Sequence, residues 1–322
     1  MAVGLLDEEP VFAARLAECE VALGRFVDFS VVDVLRGDGG GLERVEVVQP
    51  VLWAVMVSLA ELWRSVGVVP GAVVGHSQGE IAAAVVSGVL SLEDGAAVVA
   101  LRSRAIAEEL AGVGGMVSLG VSCEVAEGLI AGCEGLSVAA VNGPGSTVVS
   151  GEVGAVEELV VRCEGSGVRV RRVPVDYASH SVQVEGLRER LLGDLGGVCP
   201  GVSSVPFYSS VTGGRVDGGG LGAGYWFENL RSTVRFEEVT RALVEDGRTI
   251  FLEVSPHPVL TVGLSETVEA VGVPAAVLST LRRGEGGRER WLTALAEAHV
   301  HGVGVDWTAV LPEGRPVDLP TY

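Results

Sequence analysis

Between Gly71 and Ser87 an apolar run (Ala72, Val73, Val74) meets Gly75-His76-Ser77-Gln78-Gly79-Glu80 and continues into Ile81-Ala82-Ala83-Ala84-Val85-Val86. This order predicts a strand, a tight elbow and a helix, and it narrows the choice of fold more than any other stretch of the chain. A strand that turns directly into a helix belongs to α/β architectures. Gly75 and Gly79 spare the turn two side chains and lift the Ser77 hydroxyl above the sheet edge. The helix amides point back at the same spot, so an oxyanion formed on an attacked carbonyl would meet the Gln78 N–H and a positive helix end. Ser77 is therefore the candidate nucleophile. The rival reading is a glycine-serine turn that happens to precede a helix.

A serine nucleophile needs a base, and the chain offers five histidines. His76 adjoins Ser77, and in an elbow the neighbouring side chain points away from the nucleophile. His299 and His301 close a late helical pattern and read as solvated. His180 and His257 remain, each just after an apolar strand, where parallel sheets place active-site loops. A second requirement is a charge that anchors the substrate. Ser91 and Asp94 form a capping pattern that opens a helix running through Leu110 and carrying Arg102 and Arg104. Arginines two apart on a helix face different ways, so at most one reaches the site and the other is solvated. From spacing alone, Arg102 itself reads as a surface charge.

The rest of the chain supplies a body and an insert. Helical spacing runs from Asp7 to Phe26 behind Pro10, with no room ahead of it for a strand. A second helix within 45–69 opens at Pro50 and is apolar on most faces. Residues 114–175 read β (Met116–Gly120), α (Cys123–Ala131), β (Leu136–Val141), β (Ser146–Ser150), α (Val153–Glu164), β (Val168–Val175), the split ferredoxin-like order. A helix follows through Leu195, then a hairpin in which Phe207–Val211 and Arg215–Val216 flank Gly213-Gly214. Beyond it come a helix at Arg235–Glu245, a strand at Thr249–Val254 ending in Ser255-Pro256-His257-Pro258, a strand at Ala276–Ser279 and a helix at Arg288–Val300. The tail from Trp307 to Tyr322 reads as an extended linker.

Composition removes several function classes. A net charge of −19 over 322 residues disfavours nucleic acid and anionic membrane as partners. Cys19, Cys123, Cys133, Cys163 and Cys199 are odd in number and scattered, with no Cys-x-x-Cys pair and no histidine at ligand spacing. They read as small core residues in a reducing compartment, and no metal is expected. The sequence carries no secretory signal and no uninterrupted apolar run of the ~18 residues a membrane span needs, so a cytoplasmic protein is expected.

Five segments in order, Gly75-His76-Ser77-Gln78-Gly79-Glu80, Leu101-Arg102-Ser103-Arg104, Ala140-Val141-Asn142-Gly143-Pro144, Tyr177-Ala178-Ser179-His180 and Ser255-Pro256-His257-Pro258, together resemble the acyltransferase domain of modular type I polyketide synthases, over essentially the whole chain. The resemblance implies an α/β-hydrolase-like parallel-sheet body (1–113 and 181–290), an inserted ferredoxin-like subdomain (114–180), and a C-terminal helix with a linker (291–322). It implies that Ser77 is acylated, that His180 is the general base, and that Arg102 clamps a substrate carboxylate, against the surface reading above. It also implies a backbone carbonyl near Ser255–His257 that steadies His180, which leaves His257 structural. Acyl-CoA would be the substrate, with no cofactor bound, and the acceptor would be the phosphopantetheine thiol of an acyl carrier protein. Neighbouring synthase domains would be further partners.

Similar domains that take malonyl units usually show His-Ala-Phe-His where this chain has Tyr177-Ala178-Ser179-His180. The small Ser179 opens room for a branch, and Gln78 and Arg44-Val45-Glu46-Val47-Val48-Gln49 also match the methylmalonyl variant, so methylmalonyl-CoA is the expected substrate. Tyr177, Ser179 and Gln78 are the specificity positions. The family pattern begins with a strand and a glutamine loop that supplies the second oxyanion N–H. This sequence starts just past that loop, so it reads as N-terminally truncated, with Gln78 alone completing the hole. The competing readings are a serine hydrolase such as a thioesterase, with an aspartate between serine and histidine in chain order, and an inactive structural remnant of a synthase module.

Overall fold

The computed structural model describes residues 2–311 and Gly314. The expected linker lies mostly outside the described residues, which include one 3-10 turn at Trp307–Ala309.

The helix expected over 7–26 is two helices, α1 (Val3–Glu8) and α2 (Pro10–Leu23). The break falls at Glu9, whose extended backbone (φ −118°, ψ 98°) is what the residue ahead of a proline adopts, and Pro10 opens α2 where its missing N–H has no helical partner to lose. Phe12, Leu16, Cys19 and Leu23 form the buried stripe of α2. α3 (Val31–Arg36) is capped by Ser30, whose Oγ accepts the Asp33 N–H at 3.2 Å.

α4 (Val45–Ser65) opens at Val45 and contains Pro50 rather than starting there. The proline deprives the Glu46 carbonyl of its helical donor, a loss the surrounding packing outweighs. By length and composition α4 is apolar enough to cross a membrane, contrary to the sequence expectation. Counting uninterrupted apolar residues overlooks a helix that accommodates Gln49 and Ser58. Here 67% of its apolar window is buried inside the protein, with Val51, Trp53, Val55, Leu59 and Leu62 in the largest core.

β1 (Val73–Val74) leads through the elbow into α5 (Gly79–Val86) and then α6 (Leu92–Glu109). Ser91 caps α6 by accepting the Asp94 N–H at 3.0 Å. Next come β2 (Gly114–Leu119), α7 (Cys123–Ile130), β3 (Leu136–Gly143), β4 (Ser146–Glu152), α8 (Val153–Ser166) and β5 (Val170–Arg172). Their spatial order is β5-β2-β4-β3, with all pairs antiparallel. This is the split arrangement that the element order predicts.

A 3-10 turn at Val182–Leu187 and α9 (Arg188–Asp194) replace the single helix expected through Leu195. β6 (Phe207–Ser209) lies parallel to β1 and forms the expected hairpin with β7 (Gly214–Val216). α10 (Ala223–Arg231) has no counterpart in the sequence reading. After it, β8 (Val234–Arg235) runs parallel to β3 and adds a fifth strand to the insert's sheet from outside the insert. α11 (Phe236–Glu245), β9 (Ile250–Glu253), α12 (Thr261–Val271), β10 (Ala276–Ser279) and α13 (Arg288–Val300) complete the chain, with β9 and β10 parallel. The α/β class therefore holds, and among the described residues the body's parallel sheet consists of short pairs, β1 with β6 and β9 with β10.

Strand alternation gives the insert two buried faces. Val117, Leu119 and Val149 pack on α7 and α8 through Ala126, Val156, Leu159 and Cys163. Met116 and Val148 pack toward α11 and α12 with Phe236, Val239, Leu264 and Val268. Of the five free cysteines only Cys19 and Cys163 are buried as expected; Cys123 and Cys133 are half-buried and Cys199 is exposed.

The insert meets the body backbone to backbone at Gly263 of α12, where a Cβ would lie 2.3 Å from the Asn142 carbonyl oxygen. A Gly263→Ala substitution is expected to lower stability by about 1–3 kcal/mol, because neither backbone can yield without tilting the insert. An unchanged urea midpoint would show the junction to be loose.

Candidate active site

Gly75 is the residue that lets β1 turn into α5. A Cβ at this position would stand 2.1 Å from the Glu80 nitrogen and 2.2 Å from the Gly79 carbonyl carbon. Gly79, expected to serve the same purpose, does not: a Cβ there meets nothing within 4 Å. Ser77 at the apex has φ 52°, and among the described residues only Ala2 and His180 (φ 58°) share a positive φ without being glycine. Left-handed backbone costs of order 1–3 kcal/mol per residue and persists where its surroundings impose it.

The two strained residues meet. Ser77 Oγ lies 2.9 Å from His180 Nε2. His180 Nδ1 lies 2.8 Å from the Ser232 carbonyl oxygen, and the His180 N–H donates to the Leu230 carbonyl at 2.8 Å. A carbonyl can only accept, so Nδ1 carries the ring proton and Nε2 is left to accept from the serine hydroxyl. The steadying carbonyl thus comes from just past α10, not from Ser255–His257 as expected. His257 is exposed and its Nδ1 accepts the Arg283 N–H at 3.2 Å. Burial pushes His180 down from 6.5 to about 3; the Ser232 carbonyl partly opposes this, while His76 and Arg102 add to it. His76 turns away from Ser77, with Nε2 at 2.7 Å from Asn142 Oδ1 and its ring 5.4 Å from that of Phe236. Among the described residues the Gln78 backbone N–H donates to no backbone acceptor, and the Gln78 Oε1 is buried without a partner.

Arg102 is fully buried. Its Nη1 donates to Asn229 Oδ1 at 2.5 Å, whereas Nε and Nη2 are buried without a partner, and among the described residues it forms no ion pair. Desolvation lowers it to about 10, with Tyr177 and Glu80 opposing, so it stays charged near neutrality. A buried cation with two open N–H edges leaves two donors without hydration, and an anion is the kind of group that would satisfy them. Arg104, expected to be a free surface charge, donates to the Phe26 carbonyl. Tyr177 OH accepts from Gln49 Nε2 at 3.4 Å, and Ser179 is buried beside His180 in sequence.

Four residues to which the sequence reading gave no role, Glu80, Tyr225, Asn229 and Ser232, bind this assembly together. Glu80 is fully buried one turn beyond Ser77. It accepts from the Ser210 N–H and Oγ, from Tyr225 OH at 2.5 Å, and from Asn229 Nδ2 at 3.0 Å. Asn229 and Tyr225 lie on α10, and Ser232 follows it. One available signal was Tyr225-Trp226-Phe227 with Leu230, apolar at helical spacing; another was an acidic residue, Glu80, opening an otherwise apolar helix. Among the described residues no three His, Cys, Asp or Glu stand close enough to hold a metal.

The family described as acyl transferase domain matches residues 1–305. Polyketide synthase GfsB of Streptomyces halstedii is 57% identical over all of this chain, which spans 6% of that protein. Erythronolide synthase EryA3 of Saccharopolyspora erythraea is 52% identical, again over all of the chain, which covers 10% of it. Among solved structures, the acyltransferase domain from module 8 of the salinomycin polyketide synthase superposes with a TM-score of 0.94 at 58% identity. That match covers 96% of this chain and 74% of that one.

The depressed imidazole has a measurable sign. An unfolded histidine titrates near 6.5, so below that pH the unfolded chain takes up a proton that the folded site refuses down to about 3. Folding stability is therefore lost as pH falls through this window and is unaffected above it. The buried His76, held low by desolvation, acts in the same direction. The urea midpoint of His180→Gln is expected to fall less between pH 6.5 and pH 4 than that of the unsubstituted protein. Equal slopes would mean that the imidazole titrates as if in water.

Proposed function

Because the chain belongs to the acyl transferase domain family, we propose that it transfers a carboxylated acyl group, methylmalonyl by preference, from coenzyme A through an ester on Ser77 to the phosphopantetheine thiol of an acyl carrier protein in polyketide biosynthesis. The observation that carries this reading is the buried, unpaired guanidinium of Arg102 beside a serine–histidine pair. Two parallel N–H donors fit the free carboxylate of a malonyl-type thioester.

In the first half-reaction Ser77 Oγ gives its proton to His180 Nε2 and attacks the thioester carbonyl; the oxyanion that forms faces the Gln78 N–H. As the carbon–sulfur bond breaks, Nε2–H returns the proton to the departing CoA thiolate. The second half runs in reverse order with the carrier thiol. It loses its proton to Nε2, displaces Ser77, and the hydroxyl is restored. The Ser232 carbonyl serves both halves by keeping the imidazole in one tautomer. No cofactor takes part, and the CoA thioester and the carrier place the reaction in the cytoplasm beside neighbouring synthase domains.

A serine hydrolase is the weaker reading. Among the described residues His180 Nδ1 meets a carbonyl and not the aspartate that such enzymes use, and a neutral ester would leave Arg102 unpaired. Against an inactive remnant stands the 2.9 Å Ser77–His180 contact itself.

Incubation with methylmalonyl-CoA should add one acyl mass to the intact protein and none to Ser77→Ala; an equal adduct on that variant would refute the assignment. Arg102→Ala should lower the ratio of specificity constants for methylmalonyl-CoA over propionyl-CoA by ~100-fold, the value of two charge-assisted hydrogen bonds. An unchanged ratio would make Arg102 a packing residue.

The methyl preference rests on Ser179 and Tyr177. Replacing Tyr177 with His and Ser179 with Phe should move the methylmalonyl-to-malonyl ratio toward malonyl by ~10-fold, since one methyl is worth ~1–3 kcal/mol. A constant ratio would place the selecting wall elsewhere.

A further inference from the structure

Asn229 is buried on α10, and every polar atom of its amide is committed. Oδ1 takes the one hydrogen bond that Arg102 makes, at 2.5 Å from Nη1. Nδ2 donates to the Ser77 carbonyl at 3.2 Å and to Glu80 Oε2 at 3.0 Å. The amide has one orientation available, because its reverse would set an NH2 group against a guanidinium and a carbonyl against a carboxylate. Glu80 is fixed in turn. The Ser210 N–H and Oγ hold Oε1, and Tyr225 OH shares Oε2 with Asn229, so the carboxylate cannot swing across to pair with Arg102.

We infer that Asn229, backed by Glu80, is a positioning residue that gives the enzyme its demand for a carboxylated substrate: it fixes the Arg102 guanidinium relative to Ser77 and balances its charge without neutralising it. The inference rests on the carboxylate-clamp reading of Arg102. The amide dipole turns its negative end to the arginine and its positive end to the Glu80 carboxyl, which burial pushes toward the neutral form while the hydrogen bonds from Tyr225, Ser210 and Asn229 favour the carboxylate. The open Nε and Nη2 edges of Arg102 then wait for a carboxylate that the protein itself withholds. A direct Glu–Arg pair would satisfy those donors internally, and the substrate would have to displace it. The same amide grips the carbonyl of the nucleophile's own residue. The distance between clamp and hydroxyl is thereby set by one rigid group rather than by two separate helices.

Asn229→Asp is the informative change. It keeps the size of the side chain, presents a carboxylate to Arg102, and loses both donors. The ratio of specificity constants for methylmalonyl-CoA over propionyl-CoA, read by intact-mass acylation, should fall by about 10-fold or more, chiefly through KM for the carboxylated thioester. Because this variant faces Glu80 with a second carboxylate and can lose stability, the double variant Asn229→Asp/Glu80→Gln is measured beside it. It removes that repulsion, and the altered ratio should persist in it. Equal losses on both thioesters, or a wild-type ratio in the folded double variant, would overturn the inference. Arg102→Ala separates the two levels. If it collapses the ratio while the Asn229 variants keep it, the clamp stands and the positioning role falls. If Arg102→Ala itself leaves the ratio intact, both fall together.

Discussion

The 2.9 Å contact between Ser77 and His180 joins residues 103 positions apart in the chain, and both ends of it are held in backbone conformations that side chains other than glycine avoid. Each end is therefore held from behind. Behind Ser77 stands the turn closed by Gly75; behind His180 stand the Leu230 and Ser232 carbonyls at the end of α10. Free carbonyls at a helix C-terminus need donors, and here an imidazole and a backbone amide supply them. What would otherwise be an unsatisfied helix end becomes the frame that orients the imidazole.

Charge in this site is arranged by separation. The protein is acidic overall, yet its most deeply buried cation has no carboxylate touching it among the described residues, and Glu80, the buried carboxyl nearby that burial holds above the usual carboxylate range, is saturated by neutral donors. Burial of both charges is expensive and a direct pair would relieve the expense. Instead Asn229 stands between them. The unrelieved part of that cost remains at the Nε and Nη2 edges of Arg102, where a carboxylate can recover it.

Local features of the fold were legible. Pro10 at a first helical turn, Ser91 ahead of α6 and the alternation of short apolar runs over 114–175 each act within a few residues, and each produced its element. The elbow was legible for the same reason, although its two glycines are not equivalent: Gly75 sits against the Glu80 backbone while Gly79 faces open space. What the sequence concealed depends on tertiary contact. The start of α4 at Val45 ahead of Pro50 is decided by a buried core rather than by propensity. α10 is short, and it carries Tyr225 and Asn229 inward. The carbonyl that holds His180 was expected near Ser255–His257, after a strand, but it is that of Ser232, at the end of a helix the sequence reading did not contain. Arg102 and Arg104 were ambiguous because spacing gives direction around a helix but not what lies there.

The segment after α10 serves two sheets at once. Ser232 holds the imidazole, Thr233 Oγ1 donates to the Val138 carbonyl at 2.7 Å, Val234 pairs with Ala140 on β3 of the insert, and the Arg235 N–H donates to the Ser210 carbonyl in the body. Asn142 of the same strand holds His76, the residue before Ser77. The insert is thus tied to both Ser77 and His180, and it cannot open like a flap on a hinge without turning the ring of His180 or tugging the apex of the elbow. Moving the insert outward would therefore strain the 2.9 Å contact between Ser77 and His180 and not merely widen the space beside it.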